Sequence, residues 1–124
     1  MILFRRLPGD FTAPSRFVRA VAFSQSVFPA KTGADAVLEA FHVLNQFDIP
    51  KGAAREHEKD EHGNILADCT QWTTADDLKA KRFYFRTYEN SQLRSVDLMK
   101  MNLDAKDIVT ISMTGGEVIK SLTP

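Results

Sequence analysis

Residues 7–20 read LPGDFTAPSRFVRA, a Pro8-Gly9-Asp10 turn running into a helix. Helix entry falls near Thr12 or Ala13, because Pro14 suits the first helical turn, where its missing N–H leaves no hydrogen bond unmade. Phe17, Val21 and Ser24 share one line at i, i+4 spacing, and Val18, Ala20, Ala22 and Phe23 fill the adjacent lines. More than half the circumference is therefore apolar or small, which predicts a helix packed on more than one side. Pro29 ends it, since a residue before proline is pushed out of the α region. Two arginines, Arg16 and Arg19, sit on this apolar helix. A charge left unpaired in a dry interior costs several kcal/mol, on the order of 3–5, so each needs an explanation. In one, both reach solvent or pair with Asp10. In the other, an arginine is held by the helix N-terminus and aimed at a place where negative charge sits or develops. Periodicity leaves both open.

Working outward, Thr32-Gly33-Ala34-Asp35 predicts a second helix start, with Thr32 accepting from the backbone of the first turn and Asp35 favoured by the positive helix end. Ala34, Val37, Leu38, Phe41 and Leu44 make its apolar line, with Ala36, Ala40 and Val43 beside it, a helix more buried than amphipathic. Pro50 and Gly52 close it. Residues 51–64, KGAAREHEKDEHGN, mix both charge signs without a period and read as an exposed loop. Beyond them QWTT, RFYFRTY, QLRSVDLM and IVTISM are rich in aromatic and β-branched residues and predict strands. Arg82–Tyr88 and Gln92–Met99, joined by Glu89-Asn90-Ser91, form the clearest hairpin. In the first of these strands Phe83, Phe85 and Thr87 point one way and Arg82, Tyr84, Arg86 and Tyr88 the other. The expectation is α+β: two helices packed on an antiparallel sheet of three to four strands, residues 1–124 forming a single domain. The helices carry apolar surface on more faces than one sheet covers, which calls for a further packing partner.

The bulk numbers bound the function class. Sixteen basic residues cancel sixteen acidic ones in 124, so neither nucleic acid nor an acidic membrane surface is an expected partner. No apolar run approaches the roughly 20 residues of a bilayer span, and MILFRRL at residues 1–7 lacks the long apolar stretch and cleavage site of a secretory signal. Cys69 alone permits no internal disulfide.

The remaining reactive side chains fit structural roles better than chemical ones. His57 and His62 stand among Glu56, Glu58, Asp60 and Glu61, but H-x4-H off a helix is not zinc-protease spacing, so a solvated loop is expected rather than a metal site. Cys69 lies mid-strand in Asp68-Cys69-Thr70-Gln71-Trp72 with no adjacent base to lower its pKa, and reads as half-buried and structural. His42 is a helix histidine beside Phe41 and Val43. Thr114-Gly115-Gly116 lacks the lysine and strand-to-helix setting of a phosphate loop and reads as a turn after the last strand. Arg82, Arg86 and Arg94 are balanced by Glu89 and Asp97 and form no basic patch.

LPGDFTAPSRFVRA (7–20), FHVLNQFDIPKG (41–52) and TQWTTADDLKAKRFYFRTYENSQLRSVDL (70–98), in this order, together resemble the C-terminal part of the choloylglycine hydrolase and penicillin V acylase family, within the N-terminal nucleophile hydrolases. The resemblance runs from about Leu7 to Ile111. It implies part of an αββα sandwich and linear amides as substrates: conjugated bile salts, phenoxymethylpenicillin or N-acyl amines. In such enzymes a first-residue cysteine attacks the amide carbonyl with its own α-amino group as base, and no cofactor or metal is needed. Here residue 2 is Ile2, and Cys69, being internal, has no free α-amino group. Of the family's site residues, the arginine of the Ser-Arg-Phe motif maps to Arg16, with Pro8, Gly9 and Asp10 matching the loop before it. Arg19 is expected to be structural. The resemblance therefore implies a C-terminal piece of an amidase that is inactive alone and meets a small amide substrate only when the missing half is supplied. The alternative is a non-catalytic interaction module, as a homo-oligomer or as partner to a separate N-terminal chain.

Overall fold

A computed structural model describes residues 7–123. The reading of MILFRR as no secretory signal lies outside them. The chain divides between Thr70 and Gln71 into two compact units.

The first unit opens with helix α1, Ala13–Ser26, and helix α2, Gly33–Leu44, followed by a 3-10 turn at Asn45–Phe47. Pro14 stands in the first turn of α1 as expected. The helix stops at Ser26 because Val27 already has extended backbone, as the approach to Pro29 requires. Ser24 and Ser26 turn their hydroxyls back onto the carbonyls of Ala20 and Ala22 in that last turn. At α2 the Thr32 hydroxyl accepts from the Asp35 amide at 3.1 Å and donates to the Asp35 carboxylate at 2.7 Å, the predicted cap.

Neither helix is enclosed to the degree their periodicity predicts. On α2 only Val37 and Phe41 are buried, while Leu38 is exposed. On α1 the buried residues are Ser15 and Arg19, while Phe17 is 69% exposed and Val18 and Val21 are also open. Past the end of α1, Phe28 is 91% exposed.

The expected loop at residues 51–64 is instead a hairpin, strand β1, Ala54–Lys59, pairing antiparallel with strand β2, Ile65–Asp68. Charge composition hid it because almost every residue of both strands is exposed, so neither shows an alternating buried face. Its turn is organised by the Asp60 carboxylate, which accepts from the amides of His62 at 2.9 Å and Asn64 at 2.8 Å and from the Asn64 side chain at 2.9 Å. Gly63, at φ 82°, supplies the left-handed residue that this turn needs. The hairpin joins back to its unit through Thr70, whose hydroxyl accepts from the Ile49 amide at 2.8 Å and whose amide donates to the Ile49 carbonyl at 3.0 Å. Cys69 is half-buried as expected, but lies between strands rather than within one.

The second unit is a three-stranded antiparallel meander, β3 Trp72–Asp77, β4 Arg82–Thr87 and β5 Asn90–Asp97, in the order β3-β4-β5. The predicted hairpin is present, but its connection is Tyr88-Glu89 and Asn90 already pairs with Thr87. Phe85 sits at the centre, 4% exposed, with the Phe83 ring stacked 5.9 Å away and the Arg94 guanidinium 4.7 Å over its face. On the other side of the strand Arg82 donates to Asp97 at 2.7 Å, its opposite residue in the register. This bond holds the Asp97 carboxyl below its usual range. IVTISM, expected as a strand, is in no strand: Ile108, Val109 and Ile111 are exposed and the segment runs on without secondary structure to residue 123. Its alternation is genuine, but no strand in the described residues pairs with it.

Candidate active-site arm

The site begins with the Pro8-Gly9-Asp10 turn. The Asp10 carboxylate accepts from the Thr12 amide at 2.9 Å, the Thr12 hydroxyl at 2.5 Å and the Ser15 hydroxyl at 2.7 Å. Thr12 is the N-cap residue by backbone geometry, yet its own side chain makes no cap bond to the helix. Asp10 thus gathers the helix entry from two residues further out, a carboxylate placed at the positive end of α1. The Thr12 hydroxyl, then the Ser15 hydroxyl and the Thr12 amide, stabilise the ionised form and lower the Asp10 pKa to about 2.

Arg19 completes the frame from the other side. Its guanidinium, in a residue 6% exposed, donates to the Pro8 carbonyl at 2.6 Å and the Asp10 carbonyl at 2.9 Å, and lies 5.4 Å from the centre of the Phe47 ring. Among the described residues no carboxylate pairs with this charge; Nη1 donates to the two turn carbonyls and the guanidinium lies against an aromatic ring. Of the openings left for the arginines, Arg19 takes a structural one, binding the Asp10 backbone carbonyl rather than its carboxylate, which serves the helix entry. One helix residue holds the turn's carbonyls while one turn residue holds the helix's donors, so turn and helix form a rigid corner.

Arg16 stands one turn before Arg19 on α1 and is exposed. Its amide makes the first backbone bond of the helix, to the Thr12 carbonyl at 3.0 Å. Among the described residues its side chain has no hydrogen-bond partner. Its backbone is fixed by the corner and its guanidinium remains available, a planar fork of donors suited to a carboxylate or a developing oxyanion. Sequence reading singled out Arg16 and named Asp10, but missed that the Asp10 carboxylate ties Thr12 and Ser15 together at the helix entry. The signal was present in Asp10-x-Thr12-x-x-Ser15, polar acceptors spaced across a helix entry.

The other reactive candidates are dispersed. His57 is exposed on β1, His62 is exposed in its turn 3.5 Å from Glu61, and His42 is exposed on α2. Among the described residues no group of three His, Cys, Asp or Glu side chains converges to hold a metal, and no helix is long and apolar enough to cross a membrane.

Comparison with known proteins gives this corner its context. The family model described as linear amide C–N hydrolases, choloylglycine hydrolase family, matches residues 5–111. A bile salt hydrolase/transferase of Clostridium perfringens is 35% identical over 104 residues, covering 84% of this chain and 30% of that protein. An uncharacterized protein of Paramecium bursaria Chlorella virus 1 is 38% identical over 90 residues, covering 73% and 32%. Among solved structures, a mutant of the conjugated bile acid hydrolase from Clostridium perfringens superposes with a TM-score of 0.72 at 30% identity, over 94% of this chain and 34% of that one. Penicillin V acylase from Agrobacterium tumefaciens superposes at 0.63 and 25% identity, over 78% and 29%. The chain spans about a third of the length of these relatives. Its helices and antiparallel sheets are part of an N-terminal nucleophile hydrolase fold, and the chain belongs to the choloylglycine hydrolase family of linear amide C–N hydrolases.

Proposed function

We propose that this chain carries the arginine arm of a linear amidase site, with Arg16 as the group that meets the reacting amide, and that the 124 residues do not hydrolyse amides by themselves. The observation behind this reading is the contrast on α1: Arg16 is presented from a braced corner, while the apolar residues of the same helix, Phe17, Val18 and Val21, stand open. Relatives that match this chain are named bile salt hydrolases, and conjugated bile salts are accordingly the proposed substrate class.

In the chemistry that the family implies, the thiolate of an N-terminal cysteine attacks the amide carbonyl, the amine leaves and water cleaves the thioester. Arg16 contributes donors beside the carbon where negative charge develops. The one cysteine of these 124 residues, Cys69, is internal and has no free α-amino group. The proposed partner is the remaining two thirds of the family's fold, which would seat on the open side of the helices. There Val27, Phe28, Ala36, Ala40, Val43 and Leu44 line an apolar groove of about 560 Å³. A homo-oligomer through the same groove is the second reading, favoured by the exposed Phe28 ring at its rim.

Co-expression with the preceding portion of the Clostridium perfringens bile salt hydrolase, followed by purification on a tag on this chain, tests the pairing. The reading expects a heteromeric complex whose turnover of glycocholate is lost in Arg16→Ala and partly kept in Arg16→Lys. A stable homo-oligomer that excludes the added portion supports the second reading instead.

A further inference from the structure

A helix is ordinarily capped by its own N-cap side chain, which accepts from an amide of the first turn. Helix α1 departs from this: Thr12 holds the N-cap place, but its hydroxyl donates to Asp10, two residues earlier. The Asp10 carboxylate divides its oxygens across the helix entry. Oδ1 accepts from the Thr12 amide at 2.9 Å and the Thr12 hydroxyl at 2.5 Å, while Oδ2 accepts from the Ser15 hydroxyl at 2.7 Å. The Thr12 and Ser15 hydroxyl oxygens lie 3.2 Å apart, and Ser15 itself is buried.

A cap bond made by Thr12 would fix the helix to itself. The bonds made by Asp10 fix it to the preceding turn, and that turn is held a second time by the buried Arg19 through the Pro8 and Asp10 carbonyls. Arg19 also lies over the Phe47 ring, so the 3-10 turn after α2 joins the brace. These bonds converge on one position. Arg16 directly follows Ser15, and its amide donates to the Thr12 carbonyl at 3.0 Å. Helical Cα–Cβ bonds tilt toward the N-terminus, so the Arg16 side chain sets out over the braced turn. A long side chain magnifies any change in that first direction, and a displacement of about 1 Å at a reacting centre can cost about a hundredfold in rate.

We propose that Asp10 is the positioning residue of Arg16: its carboxylate, bridging Thr12 and Ser15, sets the course of the Arg16 side chain toward the reacting amide and touches no substrate itself. The inference rests on the reading of Arg16 as the group that meets the amide. It adds that the rate depends on where the guanidinium is held as well as on its charge. Asp10→Asn leaves one acceptor oxygen for three donors and sets an amide group in place of the other, whereas Asp10→Ala leaves none.

Glycocholate turnover by the complex of this chain with the preceding portion of the Clostridium perfringens bile salt hydrolase tests it, in a cycle of Asp10→Asn, Arg16→Lys and the double variant. With Arg16 present, Asp10→Asn should lower kcat and kcat/KM together by about tenfold, and Asp10→Ala further. In the Arg16→Lys background Asp10→Asn should cost no more than about twofold, because an ammonium is a point charge that needs less exact aiming than a planar fork. Equal losses in the two backgrounds overturn the positioning role and leave that of Arg16 standing, as do unchanged rates in both Asp10 variants. Turnover indifferent to Arg16→Ala, or absent from the native complex, overturns the reading of Arg16 and the inference with it. Residue-resolved amide exchange on the full 124-residue chain reads the brace directly. The Arg16 amide should lose about fivefold of its protection in Asp10→Asn, while the Phe41 amide within α2 should not change. Unchanged Arg16 exchange overturns the brace, as does equal loss at Arg16 and Phe41, which reports unfolding of the whole unit.

Discussion

Helix α1 buries Ser15 and Arg19 and leaves Phe17 in water, whereas strand β4 buries Phe85 under a stacked ring and a guanidinium and keeps its charged residues at the half-open surface. The strand follows the ordinary rule that apolar area leaves water first. The helix reverses it, because what fixes α1 is a set of polar bonds to the turn before it, while Phe17, Val18 and Val21 on its apolar side stand open. A face of that kind is what the proposed pairing with the rest of the family's fold would cover. The difference separates a strand that buries its central aromatic residue within its own sheet from a helix whose largest apolar residues stand open.

The largest effect is expected at Phe85. Phe85→Ala should cost about 3–5 kcal/mol, as for a buried phenylalanine elsewhere, read by chemical denaturation followed through Trp72 fluorescence on β3. A cost below about 1 kcal/mol would mean that Phe85 is not packed as its burial implies.

Next comes Arg19. Arg19→Met keeps much of the side-chain volume and leaves the Pro8 and Asp10 carbonyls without their donor, with an expected loss of about 2–3 kcal/mol for bonds from a charged group. Arg19→Lys should recover part of it, lacking the planar fork. Denaturation followed by circular dichroism at 222 nm checks both, and equal stability of Arg19→Met and the native chain would dissolve the corner.

Acid sharpens the same point. Because the Asp10 carboxyl is held below its usual range, at about 2, its contribution to helix α1 is fully present above about pH 4 and fades as pH falls toward 2. Helical signal should decline over that window, and Asp10→Asn, which does not ionise, should flatten this part of the profile. Glu117 and Asp97, also shifted down, lose their contributions in the same direction, so the Asp10→Asn difference rather than the raw curve carries the test.

The smallest effect belongs to the residue that looks most hydrophobic. Phe17→Ser should change the stability of the isolated chain by no more than about 0.5 kcal/mol, the usual range for an exposed position, while lowering the binding of a hydrophobic dye. A large destabilisation would show that the face of α1 is already covered.

These contrasts also explain what could be read from the amino-acid order. Both helices were legible because Pro14, Thr32 and Pro29 act locally, through φ restriction and capping, and need no tertiary context. The Arg82–Asp97 hairpin was legible because Phe83 and Phe85 share one face, with Phe85 buried, while Arg82 and Arg86 take the other. The β1–β2 hairpin was not, since both its faces are wet and its pairing is specified by Asp60 and Gly63 in the turn. IVTISM was read as a strand on intrinsic preference alone, and preference without a paired neighbour does not make one. At the site, Arg16 came from motif resemblance, whereas the roles of Arg19 and Asp10 depend on a turn folding back over nine to eleven residues, which no periodicity encodes.

The central proposal is an arginine arm that does not hydrolyse amides by itself. The most direct measurement is amide hydrolysis by the purified 124-residue chain, using glycocholate and phenoxymethylpenicillin with detection of the released amine or acyl product. The account predicts no turnover above the uncatalysed rate for the chain alone, with Cys69→Ala indistinguishable from it. Turnover by the chain alone that disappears in Arg16→Ala would contradict it.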